Sequence, residues 1–81
     1  MNSGQRKEIA RLRYELNLRI IDFEELVAEN ERFTTEVRKN GFDSDDTKFL
    51  LANNNRKIIR ARLDVEEAEK RLEYTEKKYV I

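Results

Sequence analysis

The sequence contains no cysteine, no histidine, no proline and only two glycines. The lack of cysteine excludes a disulfide framework and fits a reducing cytoplasm. Without imidazole or thiolate groups there is no common acid–base catalyst, thiol nucleophile or zinc site, so we expect a noncatalytic protein with no cofactor and no metal. Gly4 and Gly41 are too few to build a phosphate-binding loop. We therefore expect no small-molecule substrate.

An excess of charge of either sign is also lacking, because 17 basic residues balance 17 acidic ones. No net field then attracts nucleic acid or an anionic membrane. No apolar run approaches the roughly 20 residues that span a bilayer, and no segment resembles a signal peptide. We expect a soluble, cytoplasmic protein without a membrane partner.

What the sequence does contain is 42% charged and 38% hydrophobic residues, arranged with helical periodicity. Apolar residues recur at positions a and d of a heptad in two segments, which predicts helices over about residues 4–39 and 45–79. In the first segment, the a and d residues are Ile9, Leu12, Leu16, Arg19, Phe23, Leu26, Asn30, Phe33 and Val37. In the second, they are Leu51, Asn54, Ile58, Ala61, Val65, Ala68, Leu72, Thr75 and Tyr79.

A turn over residues 40–44 separates the two predicted helices. Gly41 can adopt the left-handed conformation that ends a helix, and Phe42 follows as the apolar residue that packs back on it. The next helix is expected to begin with a capping side chain and two acidic residues in its first turn. These are Asp43 or Ser44, followed by Asp45 and Asp46. The sequence thus predicts one domain, residues 1–81, folded as an all-α antiparallel two-helix hairpin that resembles a coiled coil.

Folding about this turn sets residues equally distant from residue 43 side by side. Asn30 then lies beside Asn54 or Asn55, where the amides can satisfy each other, and Arg19 lies beside Ala68. An acidic stretch of the first helix also faces a basic stretch of the second. These stretches are Asp22, Glu24, Glu25, Glu29 and Glu31, and Arg56, Lys57, Arg60 and Arg62.

Each helix carries a second apolar line away from the seam, which a hairpin alone does not bury. One line is Tyr14, Leu18 and Ile21; the other includes Ile59, Leu63 and Tyr74. Single exposed apolar residues are normal, but helical spacing favours a protein interface. The expectation is a noncatalytic interaction module, such as a small adaptor, an assembly factor or a virus-encoded inhibitor of a host protein. It would complete a four-helix bundle as a homodimer or by docking on a partner.

Two alternatives stay open. A helical hairpin can also bind nucleic acid, for which Arg11, Arg13, Arg56 and Arg60 are the candidate contacts, although neighbouring carboxylates offset them. The other rests on the turn Lys39-Asn40-Gly41-Phe42 followed by Thr47, which resembles the turn of the Spo0E-like aspartyl-phosphate phosphatases. Those small helical hairpins act on response regulators, so the resemblance implies a regulator of that kind. Their Ser-Gln-Glu-Leu-Asp motif is replaced here by Leu51-Ala52-Asn53-Asn54-Asn55, and no catalytic residue is carried over.

Overall fold

A computed structural model describes residues 1–41 and 45–80, apart from the side chain of Asn40. It contains two helices packed along their length: α1, Ser3–Asn40, and α2, Asp45–Tyr79. The described residues form no strand, and the predicted all-α hairpin is confirmed. The chain is a rod of 59 × 14 × 13 Å. Its radius of gyration is 18.2 Å, whereas a compact domain of this length has about 12 Å.

The start of α1 is held by a capping box that sequence analysis did not identify. The Asn2 side chain accepts a hydrogen bond from the Gln5 backbone N–H at 2.9 Å, and the Asn2 N–H donates to the Gln5 side chain at 3.0 Å. Two amide groups that the first helical turn leaves unpaired are thereby satisfied. The pattern of an Asn followed three residues later by a Gln was available in the sequence.

The end of α1 is set by Gly41, as the sequence predicts. Its N–H donates to the Val37 carbonyl at 2.7 Å. Its φ of 93° is positive, but its ψ of 159° is extended and lies outside the left-handed helical region that we expected. This backbone conformation is open almost exclusively to glycine. The predictions for Phe42, Asp43 and Ser44 fall outside the described residues, while Asp45 and Asp46 occupy the first turn of α2.

Two contacts near the open end of the hairpin agree with the predicted register. The Tyr79 hydroxyl donates a hydrogen bond to the Glu8 carboxylate, and Arg13 forms an ion pair with Glu76 at 3.5 Å. The hydrogen bond to Glu8 is the main cause that raises the pKa of Tyr79 above 10.0, because it favours the protonated phenol. Both contacts join α1 to α2 and define the position of one helix along the other.

The core between the helices is thin. Among the described residues only four apolar side chains are buried, namely Ile9, Leu12, Val37 and Ala61. Thr75 is the one buried polar residue among them, and no described side chain reaches complete burial. Most other seam positions are half-buried, since two helices enclose a seam from two sides only. The hairpin alone therefore has little apolar burial to stabilise it.

The predicted pairing of seam asparagines is not formed. Asn30 is half-buried in the seam, but its side-chain Oδ1 is inaccessible to solvent and has no hydrogen-bond partner. A hydrogen bond across the seam requires matching side-chain positions and directions, which helical periodicity does not specify. The nearby Thr34 hydroxyl donates to the Asn30 backbone carbonyl at 2.7 Å, so it makes no hydrogen bond to the Asn30 side chain.

The facing acidic and basic stretches make no direct ion pair in the described part of the chain. Asp22 lines the same open groove as Arg56 and Arg60, so opposite charges do approach each other. The two direct ion pairs lie elsewhere: Arg13 with Glu76, and another within α1. Long side chains at the margin of a seam keep their hydration, because an exposed pair contributes only about 0–1 kcal/mol. Charge supports the register here without direct contact.

Candidate interaction surfaces

Exposed apolar side chains outnumber buried ones in this structure. Ten large hydrophobic residues are exposed, against the four apolar residues that are buried. The exposed set comprises Met1, Tyr14, Leu18, Ile21, Phe49, Leu50, Ile59, Leu63, Tyr74 and Val80. All six predicted interface residues belong to it, with exposed fractions between 43% and 70%. Met1, Phe49, Leu50 and Val80 were not among these six predicted interface residues.

The α1 outer stripe consists of Tyr14, Leu18 and Ile21. Successive residues of a helix are rotated by about 100° about the helix axis. The mean side-chain direction of the α1 outer stripe therefore lies roughly 180° around the axis from that of buried Ile9 and Leu12. The three residues follow one another at spacings of four and three, which places them in one line. This stripe therefore faces directly away from α2.

The α2 outer stripe consists of Ile59, Leu63 and Tyr74. By the same geometry its mean direction lies roughly 150° from that of Ala61 and Thr75, which are buried against α1. Ile59 and Leu63 are four residues apart and contiguous, whereas Tyr74 lies three helical turns further along. This stripe faces away from α1.

The two outer stripes consequently occupy opposite long edges of the rod. They are separated by both helices, because each points away from the shared seam. A partner helix that covers one stripe leaves the other exposed. The chain thus presents two separate apolar surfaces rather than one continuous patch.

The four arginines considered for nucleic-acid binding are not brought together. Arg11 pairs with Glu15 at 3.4 Å and Arg13 with Glu76. Arg56 and Arg60 lie on the other helix, displaced along the rod by roughly 20–30 Å in the observed register. Their groove also contains the carboxylates of Asp22 and Asp64. The surface is one of mixed charge rather than a basic stripe.

No cluster of three potential metal-ligating side chains occurs in residues 1–41 and 45–80. Neither helix, over its described length, has an apolar stretch that could cross a membrane. No protein-family model matches the chain, and neither a curated protein nor a solved structure shows significant similarity to it.

Proposed function

We propose that this chain is a noncatalytic protein–protein interaction module that acts through its two outer stripes. The observation that carries the proposal is the distribution of apolar side chains, with ten large ones exposed and four buried. Contiguous exposed apolar residues at helical spacing are typical of surfaces that bind other helices. The absence of histidine and cysteine from the sequence supports a role without catalysis.

The accessible surface supports the same proposal. The chain exposes 6715 Å², whereas a compact monomer of 9.8 kDa exposes about 5,200 Å². The excess of about 1,500 Å² is larger than the roughly 800 Å² that one partner buries in a standard interface. Small scaffolds without disulfides or metals generally rely on such association for stability. An assembled state would offset the thin core.

The position of the stripes shapes the proposed role. Because they lie on opposite edges, the chain is suited to connect two partners, as an adaptor or assembly factor does. A four-helix arrangement can form through either edge and leaves the other available. An inhibitor that covers a helical groove on its target would need one edge only.

The test compares two stripe variants with matched controls. Leu18→Glu and Leu63→Glu each introduce a carboxylate into one stripe. Thr35→Glu and Asn55→Glu introduce the same charge at exposed positions that belong to neither stripe. We expect all four variants to keep wild-type helicity, because none of the replaced residues is buried. Only the stripe variants should lower the molar mass by light scattering or abolish capture of a partner from native extract.

The proposal fails if wild-type protein is monomeric and captures nothing, or if stripe and control variants behave alike. The nucleic-acid alternative predicts binding to RNA or DNA that weakens steeply with salt, and absence of binding at low salt removes it. A regulator related to the phosphatases would accelerate loss of the phosphoryl group from a response regulator.

A further inference from the structure

We infer that a second copy of this chain covers the α1 outer stripe, with the two α1 helices antiparallel and a two-fold axis passing beside Leu18. The inference rests on the proposed function, since it names the occupant of one of its two surfaces. The α2 outer stripe remains free in this dimer for a different protein.

The order of side chains along the outer edge of α1 supports this dimer. Continuing the stripe in both directions, with alternating spacings of four and three residues, adds two basic residues before it and an acidic and a small residue after it. The full line reads Lys7, Arg11, Tyr14, Leu18, Ile21, Glu25 and Ala28. Its centre is apolar and its two ends carry opposite charge. Such a line is complementary to its own reverse.

Antiparallel pairing about Leu18 makes every central contact favourable. Leu18 meets the partner's Leu18, and Tyr14 meets the partner's Ile21. Arg11 meets the partner's Glu25, and the symmetry repeats this pair on the other side. Parallel pairing would instead place Arg11 against the partner's Arg11 and Glu25 against the partner's Glu25. Charge therefore selects the antiparallel arrangement.

The surface beside Glu25 supports the same dimer. An open groove on α1 is lined by Asp22, Glu25, Leu26 and Glu29, and none of its three carboxylates has an ion-pair partner in the described residues. This groove lies where the antiparallel arrangement delivers the partner's Arg11 and Lys7. Carboxylates that cluster without a direct ion pair are stabilised by cations that approach them. The dimer supplies four such cations, two for each groove.

Arg11 is free to make this exchange. Its present partner is Glu15 of the same helix at 3.4 Å, and the Arg11 side chain is 62% exposed. An exposed pair spaced i, i+4 contributes little. Replacing it by a pair at the margin of an apolar contact, where water is partly excluded, is favourable. Both residues of the new pair already lie on the outer edge.

The α2 outer stripe is less suited to a second copy. Only Ile59 and Leu63 are contiguous there, and Arg56 and Glu66 interrupt the line on either side. The α1 outer stripe has three contiguous apolar residues, with the aromatic ring of Tyr14 among them. Aromatic side chains near the centre of an interface are among those that carry most of its binding energy. Self-association is thus assigned to α1.

The decisive experiment uses charge reversal in the full-length chain. Arg11→Glu alone or Glu25→Arg alone converts both symmetry-related pairs from attractive to repulsive. In sedimentation equilibrium, we expect the dissociation constant of the dimer to be at least about tenfold higher for each single variant than for wild type. An equimolar mixture of the two should dimerise as wild type does, because the carboxylate introduced in one variant meets the guanidinium introduced in the other. The double variant should also recover.

Mixing separates the interface from effects within a helix. Any loss of helicity from Arg11→Glu persists in the mixture, whereas an intermolecular pair is restored only there. Recovery on mixing supports the inference. A mixture no stronger than its components, or a wild-type chain that stays monomeric, overturns it.

The relative orientation of the two α1 helices is tested by measuring the distance between spin labels in the dimer. The labels are attached to single introduced cysteines, because the chain has no cysteine of its own. Labels at Glu24→Cys and Glu31→Cys should be about 18 Å and about 39 Å apart along the axis in the antiparallel dimer. Equal and short distances at the two sites would indicate a parallel dimer and overturn the inference. The proposed function fails separately, if Leu63→Glu leaves capture of a different protein unchanged and Leu18→Glu changes neither mass nor capture.

Discussion

Replacement of Asn30 by leucine should stabilise the hairpin. The two side chains have the same number of heavy atoms and branch at the same carbon, so the exchange changes polarity more than shape. Asn30 has an Oδ1 atom that is removed from solvent and lacks a hydrogen-bond partner. A buried polar atom of this kind costs about 1–3 kcal/mol. Additional apolar burial of a half-buried leucine contributes about 1 kcal/mol.

Allowing for some steric adjustment, we expect the free energy of unfolding to rise by about 2 kcal/mol. For a domain of this size that corresponds to a rise in Tm of roughly 10 °C. The assay is thermal and urea unfolding followed by far-ultraviolet circular dichroism. Protein concentration must be equal for all variants, because association shifts Tm.

The matched control is Asn55→Leu, which makes the same exchange at an exposed position of α2. It should change stability by less than about 0.5 kcal/mol. The molar mass of Asn30→Leu should equal that of wild type, since Asn30 faces the seam and not the outer edge. An unchanged or lower Tm for Asn30→Leu would refute the reasoning, because it would mean that the amide is satisfied in solution.

Three further predictions concern the ends and the core of the hairpin. Because the pKa of Tyr79 is raised in the folded chain, the stability contributed by its contact with Glu8 is present below pH 10.0 and lost as pH rises through the folded pKa. Between about pH 8 and about pH 11, Tm should therefore fall more in wild type than in Tyr79→Phe. Equal falls in Tm would contradict this prediction. Gly41→Ala should destabilise by about 1–3 kcal/mol in urea unfolding, because alanine at a φ of 93° is strained; a neutral result would mean that the end of α1 can rearrange. Leu12→Ala should cost about 2–5 kcal/mol, since Leu12 is among the most buried residues of a thin core, and retained cooperative melting at the wild-type Tm would argue against that core.

Several particulars of the fold were predictable because they depend on interactions between near neighbours in the chain. Helical periodicity determined both helices, and the conformational freedom of Gly41 determined where α1 ends. The capping box at Asn2 and Gln5 is equally local and was readable from the sequence. The exposure of Tyr14, Leu18 and Ile21 followed from their angular distance to the a and d positions.

Other particulars depended on where side chains point across the seam. The hydrogen bond predicted between Asn30 and a facing asparagine did not form, because such a bond requires matching side-chain positions and directions. Facing charges likewise predicted the register without predicting ion pairs, since hydrated side chains gain little from direct contact.

The sequence by itself determined two amphipathic helices, their antiparallel order and the residues left over on each, because all of these follow from helical periodicity and one glycine. Only the tertiary structure decided how these leftovers relate to one another. Packing α1 against α2 turned Leu18 and Leu63 to opposite edges of the rod, because each helix buries the face it turns to its neighbour and presents the opposite face to solvent. That separation distinguishes a chain with two binding surfaces from one with a single large patch.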